Sequence, residues 1–355
     1  MNNDRIQEIL DLMEEARLDY FLISDPQSIA YCTGYYNDPH ERMFVFMISK
    51  HGNHTLFMND LFYLDHDLDV NIVWHKDGQD AIQTIVDEMH FPGRIGIDKN
   101  WASHFLLDLM KKLPDAKYIN ASPCVDLVRM KKDLQEQVLM IESSKINDAV
   151  MEEIIPFIQE GVTEKQLAKK LDELFFNHHS TCYGAIVAFG KNAADPHHEN
   201  DDTLLRKGDC VLIDMGCVYK GYCSDMTRTF FYEGILEEEI KVYEIVKKAN
   251  EAAEVMIKPG VKLSDIDKCA RKVISDEGYG KYFTHRLGHF IGRDVHEYGD
   301  VSSVNEMEVE EGMIFSIEPG IYLEGNFGVR VEDLVMVTKD RCQVLNSFTK
   351  DIYII

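Results

Sequence analysis

The sequence predicts an α+β protein in two parts, a small α/β domain over residues 1–125 and a larger α+β domain over residues 126–355. Three observations predict it. Short apolar runs alternate with helical periodicity through about the first 120 residues. Near Pro123 the composition shifts toward long amphipathic helices. Beyond residue 180, strand-like apolar runs repeatedly end on an acidic residue. At 355 residues the chain is long enough for two cores, and its 45% hydrophobic content is ordinary for a globular protein.

In the first part, Ile6, Ile9, Leu10 and Met13 recur at helical spacing and predict a helix over residues 4–17. Tyr20-Phe21-Leu22-Ile23 reads as a buried strand stopped by Asp25-Pro26. Further strands are expected at 44–48, 55–58 and 94–98, alternating with helices near 78–90 and 102–112. His40, His51, His54, His66 and His75 read as surface or loop residues. In the second part, one long helix should run from Asp133 to about Pro156. Another opens at Thr163, with Gln166 completing a capping box. A third spans Glu237 to about Ile257, and a fourth starts at a capping Ser264 and ends at Gly278. Strands are expected at 185–189, 211–216, 224–231, 313–317, 328–337 and 345–355. This order suggests a duplicated α+β half, although no sequence repeat is visible.

The net charge of −25 argues against nucleic acid or an anionic membrane as partner, since phosphates are bound by clustered Lys and Arg. Lys131 and Lys132 are the nearest approach to such a cluster. Eight cysteines are scattered without a CxxC pair, which suits free thiols in a reducing compartment. The N-terminus has no apolar h-region, and no run approaches the roughly 18 apolar residues of a membrane span. A cytoplasmic location is expected.

The chemistry concentrates in the second part. Val211-Leu212-Ile213-Asp214-Met215-Gly216 and Ser224-Asp225-Met226-Thr227-Arg228-Thr229 each place a carboxylate in or beside a buried strand. An ionised carboxylate taken from water needs a cation, a metal or several donors. For either Asp alone, a turn cap or a solvent-facing role is the ordinary reading. Further along, His285, His289 and His296 fall within twelve residues interleaved with glycines, a pattern that suits a loop approached closely by other groups. Ile314-Phe315-Ser316-Ile317 runs into Glu318-Pro319-Gly320, where Pro and Gly fix the direction of the acid. Val329-Arg330-Val331-Glu332 alternates as a strand, which would put Arg330 and Glu332 on one face. Asp214, Asp225, Glu318 and Glu332 would repel one another in a single pocket. Two divalent cations balance them, and His289 adds a nitrogen ligand. A pair of ions clamped by bridging acids is a device for hydrolysis. An oxygen-rich set with one imidazole favours manganese, with cobalt, iron or zinc as alternatives.

The order Asp, Asp, His, Glu, Glu, in the contexts IDMG, SDMTRT, HRLGHFIGRDVHE, IEPGIY and GVRVED, resembles the pita-bread metallopeptidases, the family of methionine aminopeptidase, aminopeptidase P and prolidase. The preceding α/β domain is similar to that of prolidases and aminopeptidase P, so the resemblance covers nearly the whole chain. It implies a pita-bread (creatinase/aminopeptidase) catalytic domain, two pseudo-symmetric halves around a curved antiparallel sheet, and a homodimer. It further implies that Asp214 binds one metal, that Asp225 and Glu332 bridge two, and that His289 and Glu318 complete the shells. His197, in Asp195-Pro196-His197, matches the family's PH element beside the substrate. His296 matches the histidine near the scissile carbonyl, His285 a further active-site histidine, and Arg330 an arginine near the substrate carboxylate. The departure is His198-Glu199, where the family commonly has Gly after PH, which bears on the shape and charge of the pocket.

The activity so implied is hydrolysis of the bond preceding proline, from Xaa-Pro dipeptides. Glu318 would act as general base, and His197 and His296 would stabilise the oxyanion or orient the substrate. Aminopeptidase P activity on Xaa-Pro-Yaa peptides is the alternative, since the ligand set is shared and only a pocket wall differs. A creatinase-like amidinohydrolase, which needs no metal, and a non-catalytic binding protein are set against the complete ligand set.

Overall fold

The computed structural model describes residues 1–90 and 92–355. The chain divides into two compact units, Met1–Arg129 and Met130–Ile355. In the first, the described residues build a six-stranded sheet in the order Asn71–His75, Thr55–Asn59, Val45–Ser49, Tyr20–Ile23, Arg94–Ile97, Lys117–Asn120. Its inner strands are buried on both faces, and the two-residue period sorts their side chains into two cores. Phe21, Ile23, Phe46 and Ile48 pack with Ile6, Ile9 and Met13 of helix Asn3–Glu15. Tyr20, Leu22, Val45 and Met47 pack with Ile82 and Ile85 of helix Ala81–Glu88 and Leu109 of helix Ser103–Lys112.

Several local expectations for this unit are corrected. Asp25-Pro26 does not simply end a strand: it opens helix Pro26–Thr33, the Asp25 carboxylate accepting from the Ser28 N–H at 2.8 Å. Pro at the first helical position gives up only a donor that would be unsatisfied anyway. For the same reason Pro123 is tolerated in the first turn of helix Ser122–Met130. The edge strands Asn71–His75 and Lys117–Asn120 escape the sequence reading, because their apolar residues, Ile72-Val73-Trp74 and Tyr118-Ile119, make runs of only three and two. His75 is buried, with Nε2 3.0 Å from the Met43 carbonyl oxygen.

In the second unit, helix Leu134–Ile154 begins at a capping box between Asp133 and Glu136, and helix Glu164–Asn177 at one between Thr163 and Gln166. Helices Glu237–Met256 and Leu263–Asp276 follow. Ser264 is not the cap of the last: it lies inside the helix and its hydroxyl donates to Glu306 at 3.1 Å. Strands Ile186–Phe189, Cys210–Met215 and Met226–Phe231 form one antiparallel sheet, and Ile314–Ile317, Asp333–Val337 and Cys342–Val344 another. Gly320–Leu323 and Phe327–Arg330 make a hairpin. The single strand expected over residues 328–337 is therefore broken at Val331-Glu332. Its first half pairs with Gly320–Leu323 and its second with Ile314–Ile317, so the chain changes partner between them. Residues 345–355 form no continuous strand; Ile354 makes only an isolated bridge to Phe231. The result is an α/β domain followed by a mixed domain whose sheets are in part curved and antiparallel.

Candidate metal centre

The antiparallel register of Cys210–Met215 with Met226–Phe231 sets Thr227 opposite Asp214 and leaves Asp225 just before the second strand. The link between them is a tight reversal at Lys220-Gly221, both with positive φ. Gly216 is required, because a Cβ there would lie 2.0 Å from both the Ser224 carbonyl oxygen and the Tyr183 hydroxyl. In the second sheet Ile317 pairs with Asp333, which brings Glu318 and Glu332 to the same end. His289 sits on the short strand Gly288–His289; a Cβ on Gly288 would lie 1.9 Å from the Ser316 carbonyl oxygen. Close backbone approach thus explains these two glycines.

These five groups line one cavity of about 410 Å³, together with His197, His285, His296, Arg286 and Arg330. Asp225, His289 and Glu332 converge most tightly, each offering an atom within 4.8 Å of the others. His289 Nε2 lies 3.6 Å from Asp225 Oδ2, 3.7 Å from Glu318 Oε1 and 4.0 Å from Glu332 Oε1. Those separations are too long for hydrogen bonds and suit atoms grouped about a shared ion. His289 Nδ1 faces the Phe290 carbonyl at 3.2 Å, which assigns the proton to Nδ1 and leaves Nε2 with a free lone pair. Burial, reinforced by His296, pushes the imidazole down to about 3, so it is neutral at pH 7.

The acids shift the other way. Burial, then repulsion from Asp214, raises Asp225 well above the usual carboxylate range. Burial, then Asp225 and Glu318, does the same to Glu332. Burial raises Glu318 to about 7, although Arg330 opposes the shift. Among the described residues, Asp225 Oδ1 is buried without a hydrogen-bond partner. A buried acid oxygen with no donor, beside a neutral imidazole and two further acids, is a donor set short of positive charge. Asp225, His289 and Glu332 fit a divalent cation.

A pH dependence follows for the metal-free chain. Asp225, Glu318 and Glu332 hold protons more tightly folded than unfolded, so stability falls as pH rises through their raised values. His285 and His289 are shifted downward, and their opposing contribution fades as pH rises past about 6.5, where the unfolded histidines also lose their protons. The net decline should therefore set in as pH rises above about 6.5, a window in which Glu318, at about 7, also ionises. Thermal melts in chelator are expected to drop across that window and to flatten when manganese is added. A chelated chain more stable at pH 8 than at 6.5 would contradict the charge imbalance.

The other expected site residues are placed as follows. Arg330 is 2% exposed. It donates to Asp214 Oδ2 at 2.5 Å, Thr227 Oγ1 at 3.0 Å, the Tyr322 hydroxyl at 3.0 Å and the Pro196 carbonyl oxygen at 3.3 Å. Arg330 and Glu332 both reach Thr227 Oγ1 and line the same cavity, as their spacing predicts, and the guanidinium is also tied into the wall as the partner of Asp214. His285 lines the cavity with both nitrogens engaged, Nδ1 on the Arg286 carbonyl at 2.7 Å and Nε2 on the Tyr322 hydroxyl at 2.8 Å. Burial, helped by Arg330, lowers it to about 4. His296 is solvent-facing and packs edge-on against His289, with ring centroids 4.3 Å apart. His197 is exposed at the cavity wall, its backbone N–H donating to Asp195 Oδ1 at 3.0 Å.

His198 bonds to Glu164 at 2.6 Å. Glu164 is fully buried and also accepts from the Phe189 N–H, the Asn192 amide and the Asp201 N–H. Glu164, His198 and Asp201 could bring ligand atoms together, but with both Glu164 oxygens already bonded the group reads as an anchor for the segment carrying His197. Sequence reasoning missed Glu164, Tyr183, Thr227 and Tyr322. Thr227 and Tyr322 carried a signal, lying within the SDMTRT and IEPGIY runs.

With this geometry in hand, comparison with known proteins decides the family. Residues 138–339 match Metallopeptidase family M24, and residues 5–131 match the Creatinase/Prolidase N-terminal domain. The chain belongs to metallopeptidase family M24. An uncharacterized peptidase of Staphylococcus aureus (strain bovine RF122) is 34% identical, over 98% of this chain and 99% of its own length. Among solved M24-like structures, a dipeptidase from Pyrococcus horikoshii aligns with TM-score 0.92 at 34% identity, covering 99% of this chain and 100% of its own. A prolidase from Thermococcus sibiricus aligns with TM-score 0.93 at 31% identity, over 100% and 99%. Like other M24 members, the chain is a peptidase with a candidate metal centre. Among the described residues no helix is long and apolar enough to cross a membrane, and all eight cysteines are free.

Proposed function

We propose that this M24 peptidase hydrolyses the bond preceding proline, with Xaa-Pro dipeptides as its substrates and two divalent ions, manganese first, as cofactor. The observation that carries the reading is His289 Nε2 facing Asp225, Glu318 and Glu332 at 3.6–4.0 Å in a cavity that also holds His197 and His296. Asp214, Asp225, His289, Glu318 and Glu332 would together hold the two ions, with His289 and Glu318 completing the shells around the ion-binding acids. When bound, such ions acidify water and polarise a carbonyl oxygen. Glu318 takes the proton of the attacking water and delivers it to the departing proline nitrogen. His197 and His296 face the scissile carbonyl and donate to the oxyanion as the tetrahedral centre forms. Arg330 holds and aims Asp214, and His285 holds Tyr322 against Arg330. The setting assumed is a homodimer in the cytoplasm, in keeping with the family resemblance and the free thiols.

The test is a side-by-side assay of manganese-, cobalt- and zinc-loaded protein on Ala-Pro and on Ala-Pro-Ala. Dipeptide turnover fastest with manganese and at least about tenfold above the tripeptide, a difference of about 1.4 kcal/mol in the barrier, is expected. Preference for the tripeptide would make the chain an aminopeptidase P. No turnover of either with any metal would remove the proposal.

A further inference from the structure

Among the described residues, the permanent cations lining the cavity are Arg286 and Arg330, and they stand in opposite conditions. Arg330 is buried and committed to Asp214, Thr227, Tyr322 and Pro196. Arg286 is exposed, and among the described residues no hydrogen bond or ion pair engages its guanidinium. Its backbone is fixed nonetheless. The Arg286 carbonyl accepts from His285 Nδ1, and the neighbouring His285 carbonyl accepts from Arg271 Nη2 at 2.9 Å. The N–H of the next residue, Leu287, donates to Asp267 Oδ1 at 3.2 Å. A free guanidinium on a pinned backbone at the cavity wall is available to a ligand. Its charge also reaches Glu318, His289 and His296, the groups beside the bond to be cut.

Resting on the dipeptidase reading above, we infer that Arg286, and not Arg330, is the residue that binds the free C-terminal carboxylate of the substrate and so selects dipeptides over longer peptides. The planar fork of Arg matches a carboxylate through paired N–H donors, whereas Lys offers only a point charge. A longer peptide puts a neutral amide where that carboxylate would be and leaves the guanidinium uncompensated. A carboxylate at this cation could also come from an acidic side chain before proline, so the test must separate the two sources.

The experiment compares kcat/KM on Ala-Pro, Ala-Pro-NH2 and Asp-Pro-NH2 for the unmutated enzyme, Arg286→Gln and Arg286→Lys. Calorimetric titration of the product L-proline and of L-prolinamide supplies a readout that needs no turnover. The unmutated enzyme is expected to prefer Ala-Pro over Ala-Pro-NH2 by about tenfold to a hundredfold. Arg286→Gln should bring that ratio near one and weaken L-proline about tenfold without a matching change for L-prolinamide. Arg286→Lys should restore part of the ratio. An acid-over-amide preference that survives Arg286→Gln would overturn the assignment, as would Asp-Pro-NH2 cleaved as well as Ala-Pro. Hydrolysis of Ala-Pro and its amide at equal rates would overturn it while leaving the peptidase reading standing. Failure to hydrolyse any of the three would instead remove that reading itself.

Discussion

Asp225→Asn is expected to lose at least about a thousandfold in kcat, on the order of 4 kcal/mol of barrier, while making the metal-free chain more stable. The two effects have one cause. Asp225 is 5% exposed, has an oxygen with no donor, and is raised well above the usual carboxylate range by burial and by Asp214. Such a charge is costly unless a cation compensates it. The amide keeps the shape and removes the charge. In chelator the variant should gain about 1–3 kcal/mol, read as a rise of roughly 2–4 °C in Tm per kcal/mol. The stabilisation that manganese gives the unmutated chain should be largely absent. Thermal melts with and without metal, beside a dipeptide assay, check both halves. A variant that loses activity but is also less stable without metal would mean that the Asp225 carboxylate is satisfied in some other way.

Arg330→Met is expected to act in the opposite sense on stability. The guanidinium is buried with Asp214 at 2.5 Å, and removing one member of a buried pair costs about 3–5 kcal/mol because the other is left uncompensated. The Tyr322 hydroxyl, Thr227 Oγ1 and the Pro196 carbonyl lose their donor as well. Turnover should collapse with stability, since Asp214 is then neither held nor directed. Arg330→Lys should recover little, because one ammonium on a flexible stem cannot reach the directions that the planar fork serves. Melting curves and kcat for both variants decide it. A raised KM for dipeptides at unchanged Tm would return Arg330 to the substrate-facing role that its motif suggested.

What the sequence made legible follows the range of the interaction. The acids and His289 could be found because each closes an apolar run or sits among glycines, which are local signals. The capping boxes at Asp133 and Thr163 were equally local, although only the second was recognised as such. Arg330 was found but its partner was not, for Asp214 lies 116 residues away and no pattern in VRVED specifies a buried acid opposite. Glu164 looked like an ordinary first-turn acid of a capped helix; only the fold shows it buried and bonded to His198. The break at Val331-Glu332 escaped because alternation continues through it while the pairing partner changes. The edge strands of the first unit carry apolar runs of only two or three residues, too short for periodicity to register.

The central claim is that Asp214, Asp225, His289, Glu318 and Glu332 together hold two ions. Equilibrium dialysis of the chelated protein against manganese, with bound metal measured by mass spectrometry, tests it most directly. The account predicts saturation at two ions per chain, and loss of both when Asp225→Asn and Glu332→Gln are combined. Saturation at a single ion, or two ions retained by the double variant, would contradict it.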